Sequence, residues 1–294
     1  MSAIHSSLWS EDFKCSHIPE ECHNNDVIVG IDEAGRGPVL GPMVYGCAYW
    51  VLDKNDEISK KGFDDSKALT AEKREELKTI IDSSMDIGYV LRVLSPEEIS
   101  ANMLQKNPYN LNFMSHNAAI GLIQTLLDNH VQVKEVYVDT VGDPKKYQDK
   151  LLNHFSNTHI KFTVSKKADA LYKCVSAASI VAKVCRDNLI QEIYDNKSII
   201  RNSDSLGSGY PSDPNTKKWL TDNIHTIFGF PRIVRFSWST ITELFKKPTI
   251  TSIKWEEDEE DGHYISESMK KNQTHKKIHI HYFERRGIHS NIKF

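Results

Sequence analysis

The chain has 294 residues, 37 Lys+Arg against 40 Asp+Glu, a formal net charge of -3, and is 39% hydrophobic and 26% charged. That apolar share excludes a disordered chain, the absence of a Gly-X-Y period excludes a collagen, and no run approaches the roughly 18 apolar residues of a membrane span. Five cysteines, odd in number and without a CxxC pair, fit a reduced intracellular protein better than a disulfide scaffold or zinc module.

Residues 1–25 are polar and unpatterned and read as a loosely held arm; no secretory signal is visible in them. Val27-Ile28-Val29-Gly30-Ile31 is a short apolar run and reads as a buried strand ending at Asp32. A Gly/Pro-rich turn follows, then a second strand over Met43–Leu52. Thr70 caps a helix with Leu77, Ile80 and Ile81 on its apolar face. Met85–Leu94 reads as a strand, and Ser95-Pro96-Glu97-Glu98 as a capping box opening a helix. A long helix is expected over Leu111–Asn129, strands over Lys134–Asp139 and Ile160–Val164, and a helix over Cys174–Tyr194 that begins with small residues. Two more helices are expected over Pro214–Phe228 and Ser237–Lys246. The mixture favours an α/β core with helices packed on a sheet. After Pro248 come six consecutive acids, Glu256–Asp261, then a Lys/His-rich stretch, the pattern of an interaction tail.

Three acidic positions share one context. Asp32-Glu33 end the first strand, Asp139 ends Val136-Tyr137-Val138, and Asp169 precedes the small-residue helix. Ligands of α/β sheets bind beyond the carboxyl ends of strands. Four carboxylates gathered there repel each other and call for hard divalent cations such as Mg²⁺ or Mn²⁺. Two such ions would hold an attacking water and a leaving oxygen across one phosphate, which is phosphodiester hydrolysis. Strand-end acids are also ordinary turn and cap residues, and spacing alone leaves both readings open.

Gly35-Arg36-Gly37 follows the acid pair. Glycines admit close backbone approach, and a ribose 2′-OH, donor and acceptor at once, is what such a turn would read. Arg36 would meet a phosphate. Gly207-Ser208-Gly209-Tyr210-Pro211 carries an aromatic on a second turn, suited to stacking on a sugar or base. The Lys and hydroxyl of Asp65-Ser66-Lys67 suit a phosphate. Each is equally a structural turn or cap. Charge is unevenly placed: residues 1–142 hold 12 basic and 22 acidic residues, 143–247 hold 17 and 10, and 248–294 hold 8 of each. An acidic half beside a basic one marks a phosphate-facing surface, or solvated faces that segregate.

These residues together resemble a family. Val29-Gly30-Ile31-Asp32-Glu33-Ala34-Gly35-Arg36-Gly37-Pro38 is similar to the opening motif of type 2 ribonucleases H. Asp65-Ser66-Lys67, Val138-Asp139, Lys167-Ala168-Asp169-Ala170, Ser176 to Lys183 and Gly207 to Pro211 match its later blocks in order. Asp139-Thr140-Val141-Gly142, Phe230-Pro231, Arg235-Phe236-Ser237-Trp238 and Tyr282-Phe283-Glu284-Arg285 resemble the catalytic subunit of the eukaryotic enzymes.

The resemblance implies a ribonuclease-H-like mixed sheet flanked by helices (26–200), a helical region contacting the duplex (201–247) and a charged tail (248–294) that meets partner subunits. Asp32, Glu33, Asp139 and Asp169 would be catalytic, holding two Mg²⁺ or Mn²⁺ ions. Gly35, Arg36 and Gly37 would read the 2′-OH. Tyr210 would stack at an RNA-to-DNA junction, and Lys67, Asn112 and Thr240 would hold phosphates. It implies cutting of RNA/DNA hybrids and 5′ of single ribonucleotides in duplex DNA, leaving 3′-OH and 5′-phosphate ends. It also implies a nuclear complex with B and C subunits that serves replication and repair, and no membrane. The alternatives are another metal-dependent nuclease on a ribonuclease-H-like fold, or a non-catalytic nucleic-acid-binding subunit.

Overall fold

The computed structural model describes residues 13–140, 142–195, 205–247 and 250. Six strands run along the chain: β1 (Lys14–Cys15), β2 (Val27–Ala34), β3 (Met43–Val51), β4 (Gly88–Leu94), β5 (Val133–Asp139) and β6 (Lys161–Ser165). They form one mixed sheet in the order β1-β4-β3-β2-β5-β6. β2 pairs antiparallel with β3 and parallel with β5, which pairs parallel with β6. The helices are α1 (Asn55–Ile58), α2 (Ala71–Ser83), α3 (Pro96–Leu104), α4 (Leu111–Asp128), α5 (Pro144–His154), α6 (Ala168–Leu171), α7 (Lys173–Asp195), α8 (Pro214–Asn223) and α9 (Ser239–Phe245).

β2 is apolar on both faces because helices cover both. Val27, Val29 and Ile31 join the core under α4, with Met114, Leu122 and Ile123. Ile28 and Ala34 join the core under α7, with Val175, Ala178 and Ile180. Side chains alternate along a strand, so Asp32 starts on the α7 side and Glu33 on the α4 side. The small residues at the start of α7 let that helix press onto β2. A Cβ on Gly30 would lie 2.1 Å from the carbonyl carbon of Cys174, so only glycine admits this approach. A third core joins Val39 and Leu40 to Leu206, Trp219, Leu220, Ile233, Val234 and Ile241, docking α8 and α9 under the turn after β2.

The expected elements are present, with three differences. Residues 13–25 are not a loose arm: Lys14 and Cys15 pair with Leu91 and Val90, Phe13 and Ile18 pack on the core, and Cys22 is fully buried. The helix expected to reach Phe228 stops at Asn223. There His225 and Gly229 exchange backbone hydrogen bonds, and Ile227 and Phe228, whose apolar character suggested helix, stand exposed on a turn. Helix α5 was not expected, although Asp143 caps it, Pro144 opens it and Tyr147 and Leu151 face the core one turn apart. All five cysteines are free thiols. Among the described residues no helix is long and apolar enough to cross a membrane. The acidic run Glu256–Asp261 and Tyr282–Arg285 lie outside the described residues.

Candidate active site

The register of β2 against β5 pairs Ile31 with Val138, so the next residues, Asp32 and Asp139, end neighbouring parallel strands side by side. Asp139 pairs with Ser165 of β6, and the chain then turns through Lys167, at φ 58°, into α6 with Asp169. The backbone ties these acids in place. Asp32 Oδ1 accepts the Glu33 N–H at 2.7 Å, and Asp139 Oδ1 accepts the Ala168 N–H at 2.7 Å. Ser176 of α7 donates to the carbonyl of Asp169 at 2.6 Å.

Asp32 and Asp169 are buried, at 3% and 2% exposure. Burial, then Glu33 and Asp139, push the Asp32 carboxyl well above its usual range. Burial raises Glu33 to about 7 against the opposing charge of Arg36, with Asp139 adding to the rise. Asp169 is raised by burial, then by Asp65 and Asp139, with Lys67 opposing. All four predicted carboxylates therefore belong to one electrostatic cluster. Among the described residues no three His, Cys, Asp or Glu side chains are closed up as a metal cage. Carboxylates hold one another apart, and a cation is what draws such a set together. The donors nonetheless fit a hard divalent ion: they are all oxygens, and the buried Oδ2 of Asp169 has no hydrogen-bond partner. The nearest cation to it is Lys67, whose Nζ lies 3.8 Å away. Asp65, picked out in the sequence only as part of a turn, stands beside Asp169 and hydrogen-bonds it.

The glycine turn is held from below by two buried arginines. Arg235 donates from Nη2 to Gly35 O at 2.6 Å, from Nη1 to Arg36 O at 3.0 Å and from Nε to Gly41 O at 2.8 Å. Trp238 Nε1 donates to Gly37 O at 3.0 Å. Arg186 donates to the carbonyls of Leu40 and Pro42, both at 3.1 Å. Gly35 has φ +83°, and a Cβ there would lie 2.0 Å from Arg186 Nε, so the turn needs glycine on both counts. Three consecutive carbonyls, of residues 35, 36 and 37, are thus occupied. Among the described residues the amides of Arg36 and Gly37 have no acceptor, which leaves N–H groups for a ligand.

Tyr210 joins this turn: its ring edge lies 3.0 Å from where a Cβ of Gly37 would stand, and it is 48% exposed. The Gly209 carbonyl accepts from Val39 N at 2.8 Å, fixing one Gly-flanked turn on the other. Arg36 reaches α4, where its guanidinium donates to Ser115 and Asn112. That brings two predicted residues together. They line a cleft of about 200 Å³ with Glu33, Asp139, Lys146 and Tyr147. Thr240 is not drawn in: it sits in the first turn of α9, two residues past Trp238, and among the described residues its hydroxyl makes no hydrogen bond. Arg186, Arg235, Trp238, Tyr147 and the serines of α7 are site-building residues that sequence reasoning did not assign. Their signal was limited to the motif blocks around Ser176 to Lys183 and Arg235 to Trp238.

Buried acids at the carboxyl ends of parallel strands, beside an arginine-clamped glycine turn, define a nuclease-type centre on an α/β sheet. The family described as Ribonuclease HII matches residues 29–241, and the chain belongs to that family. It is accordingly a type 2 ribonuclease H, an endoribonuclease of RNA/DNA hybrids. An Arabidopsis thaliana protein, named as the A subunit of ribonuclease H2, is 49% identical over 245 residues, spanning 83% of this chain and 82% of its own length. The protein of that name from Homo sapiens is 40% identical over 284 residues, spanning 94% and 93%. The crystal structure of ribonuclease H2 from Pyrococcus horikoshii OT3 is 32% identical, with a TM-score of 0.59 over 74% of this chain and 96% of that one.

Proposed function

We propose that this chain cuts the RNA strand of RNA/DNA hybrids and also incises 5′ of a single ribonucleotide in duplex DNA, leaving 3′-OH and 5′-phosphate ends. The observation that carries this reading is the junction of two features: the buried carboxylate cluster and the Gly35–Gly37 turn whose carbonyls are occupied and whose amides are free. Asp32, Glu33, Asp139 and Asp169 hold two divalent ions, Mg²⁺ or Mn²⁺. Bound there, such ions supply the charge that polarises the scissile phosphate and lowers the pKa of the attacking water.

The chain's own residues do the rest. The amides of Arg36 and Gly37 donate to the 2′-OH, an acceptor that deoxyribose lacks. Arg235 and Trp238 keep those amides aimed by holding the carbonyls behind them. Lys67 neutralises a phosphate oxygen next to Asp169. Tyr210 stacks on the deoxyribose that follows the ribonucleotide, set at its distance by contact with Gly37. Asn112 orients Arg36 and with it meets a phosphate, and Thr240 holds one further along the duplex. Residues 201–247 would form the duplex-contacting region and 248–294 the contact with the B and C subunits of a nuclear complex serving replication and repair. The relatives are named as the A subunit of such an enzyme.

The test is incision of a labelled duplex with one embedded ribonucleotide in Mg²⁺, with and without candidate B and C chains. Cutting directly 5′ of the ribonucleotide, lost on replacing it with a deoxynucleotide, is expected. No incision under either condition would sink the reading.

A further inference from the structure

Helix α7 carries Ser176 and Ser179 one turn apart, both nearly inaccessible and both directed at the carboxylate end of the sheet. Ser176 is accounted for by its bond to the Asp169 carbonyl. Ser179 is not: its hydroxyl contacts the Asp32 carboxylate on one side, and on the other lies 2.8 Å from the hydroxyl of Ser66. Ser66 is 4% exposed and belongs to the loop that bears Lys67. That loop is otherwise built for rigidity. Asp65 Oδ1 accepts from Lys67 N at 2.8 Å, and Arg74 donates to the carbonyls of Ser66 and Leu69.

The donor inventory fixes a direction. An ionised carboxylate only accepts, so Ser179 must give its single proton to Asp32, and the Ser66 hydroxyl must then donate to Ser179. The result is a buried chain, Ser66 to Ser179 to Asp32, that joins the loop of Lys67 to the first carboxylate. We propose that Ser179 and Ser66 are positioning residues that set the orientation of Asp32 for divalent-ion binding and couple it to the placement of Lys67. Two donors, the Glu33 N–H and the Ser179 hydroxyl, hold the Asp32 carboxylate, and its remaining lone pairs face the cluster. Partners of this kind, behind a metal ligand, change metal affinity by about 10–100-fold when removed. The inference rests on the proposed assignment of Asp32 as a metal ligand.

Mn²⁺ binding to the full-length chain by titration calorimetry tests it without requiring turnover, and incision kinetics on the single-ribonucleotide duplex follow. Ser179→Ala is expected to weaken Mn²⁺ binding by about tenfold or more, with KM for the duplex unchanged. Ser66→Ala is expected to weaken Mn²⁺ binding less and to raise KM as well, through Lys67. Ser66→Thr, which keeps the hydroxyl, should restore both. The double Ala variant should lose no more affinity than Ser179→Ala alone, since one chain is being broken twice. Folded variants that bind Mn²⁺ like the wild type, or that only melt earlier, overturn the proposal and leave the assignment of the carboxylates standing. A wild-type chain that binds no Mn²⁺ overturns both. If Ser179→Ala does not fold, the comparison of Ser66→Ala with Ser66→Thr decides.

Discussion

Arg235 Nη2 lies 2.6 Å from the carbonyl oxygen of Gly35, 200 residues away in sequence, and this guanidinium is fully buried with no carboxylate beside it. Its charge is dispersed over three backbone carbonyls of the 35–41 segment and over the Trp238 ring, whose centroid is 4.8 Å away. Burial, with Arg186 close by, lowers its pKa to about 9. A buried cation without an anion is costly, so the contact is held in place by the folding of α9 and the third core.

Replacing Arg235 therefore tests the turn. Arg235→Lys keeps the charge and loses the planar fork that meets three carbonyls at once. Each buried acceptor left without a donor costs about 1–3 kcal/mol, so chemical denaturation should show a loss of several kcal/mol. Of the activity that survives, cutting at a single ribonucleotide should fall by a larger factor than the cutting of a uniform hybrid, where many 2′-OH groups compete for the turn. Equal losses on the two substrates, with wild-type stability, would disconnect Arg235 from 2′-OH reading.

The buried acids make a separate prediction that pairs activity with stability. Asp32→Asn or Asp139→Asn should lower incision by at least about a hundredfold, as when one preorganised charge of a reaction centre is removed. The same changes should raise the melting temperature in EDTA. Asp32 is ionised against burial and against Glu33 and Asp139, so a neutral amide relieves repulsion that the wild type bears. A variant that loses activity and melts earlier would have lost its fold rather than its charge.

How far the sequence carried this site can be read from individual residues. Asp32, Glu33, Asp139 and Asp169 were legible because strand-end acids follow apolar runs, and the runs announce themselves by composition. That Asp32 and Glu33 begin on opposite faces of β2 was implicit in strand alternation. Their meeting at one centre depends on the β2–β5 register, which no local pattern encodes. Arg235 and Ser179 were invisible for a related reason. Each works through a contact made across 113 to 200 residues of chain, and neither residue type is unusual where it stands. Helix α5 was legible and went unread: Asp143-Pro144 and the Tyr147/Leu151 spacing are ordinary start and face signals. The Ile227-Phe228 pair misled because an apolar pair extends a helical pattern equally well from an exposed turn.

His116 reports on the cleft beside Glu33. Its ring stacks on Tyr147 at 4.0 Å, and its Nδ1 lies 3.4 Å from Lys150 Nζ. Burial first, then Lys150 and Arg36, lower its pKa to about 4. A folded-state pKa below the unfolded value means that stability is fully present above pH 6.5 and is lost as pH falls through that range toward 4. NMR titration should place His116 near 4. Lys150→Met should move it upward by removing one like charge, without returning it to 6.5, because burial remains the larger cause. His116→Gln should flatten the acid limb of the stability curve. A ring titrating near 6.5 in the wild type would mean that the cleft is open to water and that His116 faces solvent.

Tyr210 separates recognition of a junction from recognition of ribose. Its ring leans on Gly37 while 48% of its surface stays exposed, so its free face is available to a sugar without any movement of the turn. Stacking on an aromatic is worth about 1–3 kcal/mol for a base and is sequence-tolerant. Tyr210→Ala should therefore weaken cutting at a single ribonucleotide by about tenfold or more, because that substrate offers only one sugar for the turn to read and one following deoxyribose to hold. A long hybrid offers alternative registers and should lose less. Tyr210→Phe keeps the ring and should stay close to wild type on both substrates, since the hydroxyl has no part in the contact with Gly37. The ratio of kcat/KM for the two substrates, measured for Ala and for Phe, is the decisive quantity. A ratio unchanged by Ala would assign Tyr210 to packing of the 207–211 turn, and a ratio changed equally by Phe would assign its role to the hydroxyl instead of the ring.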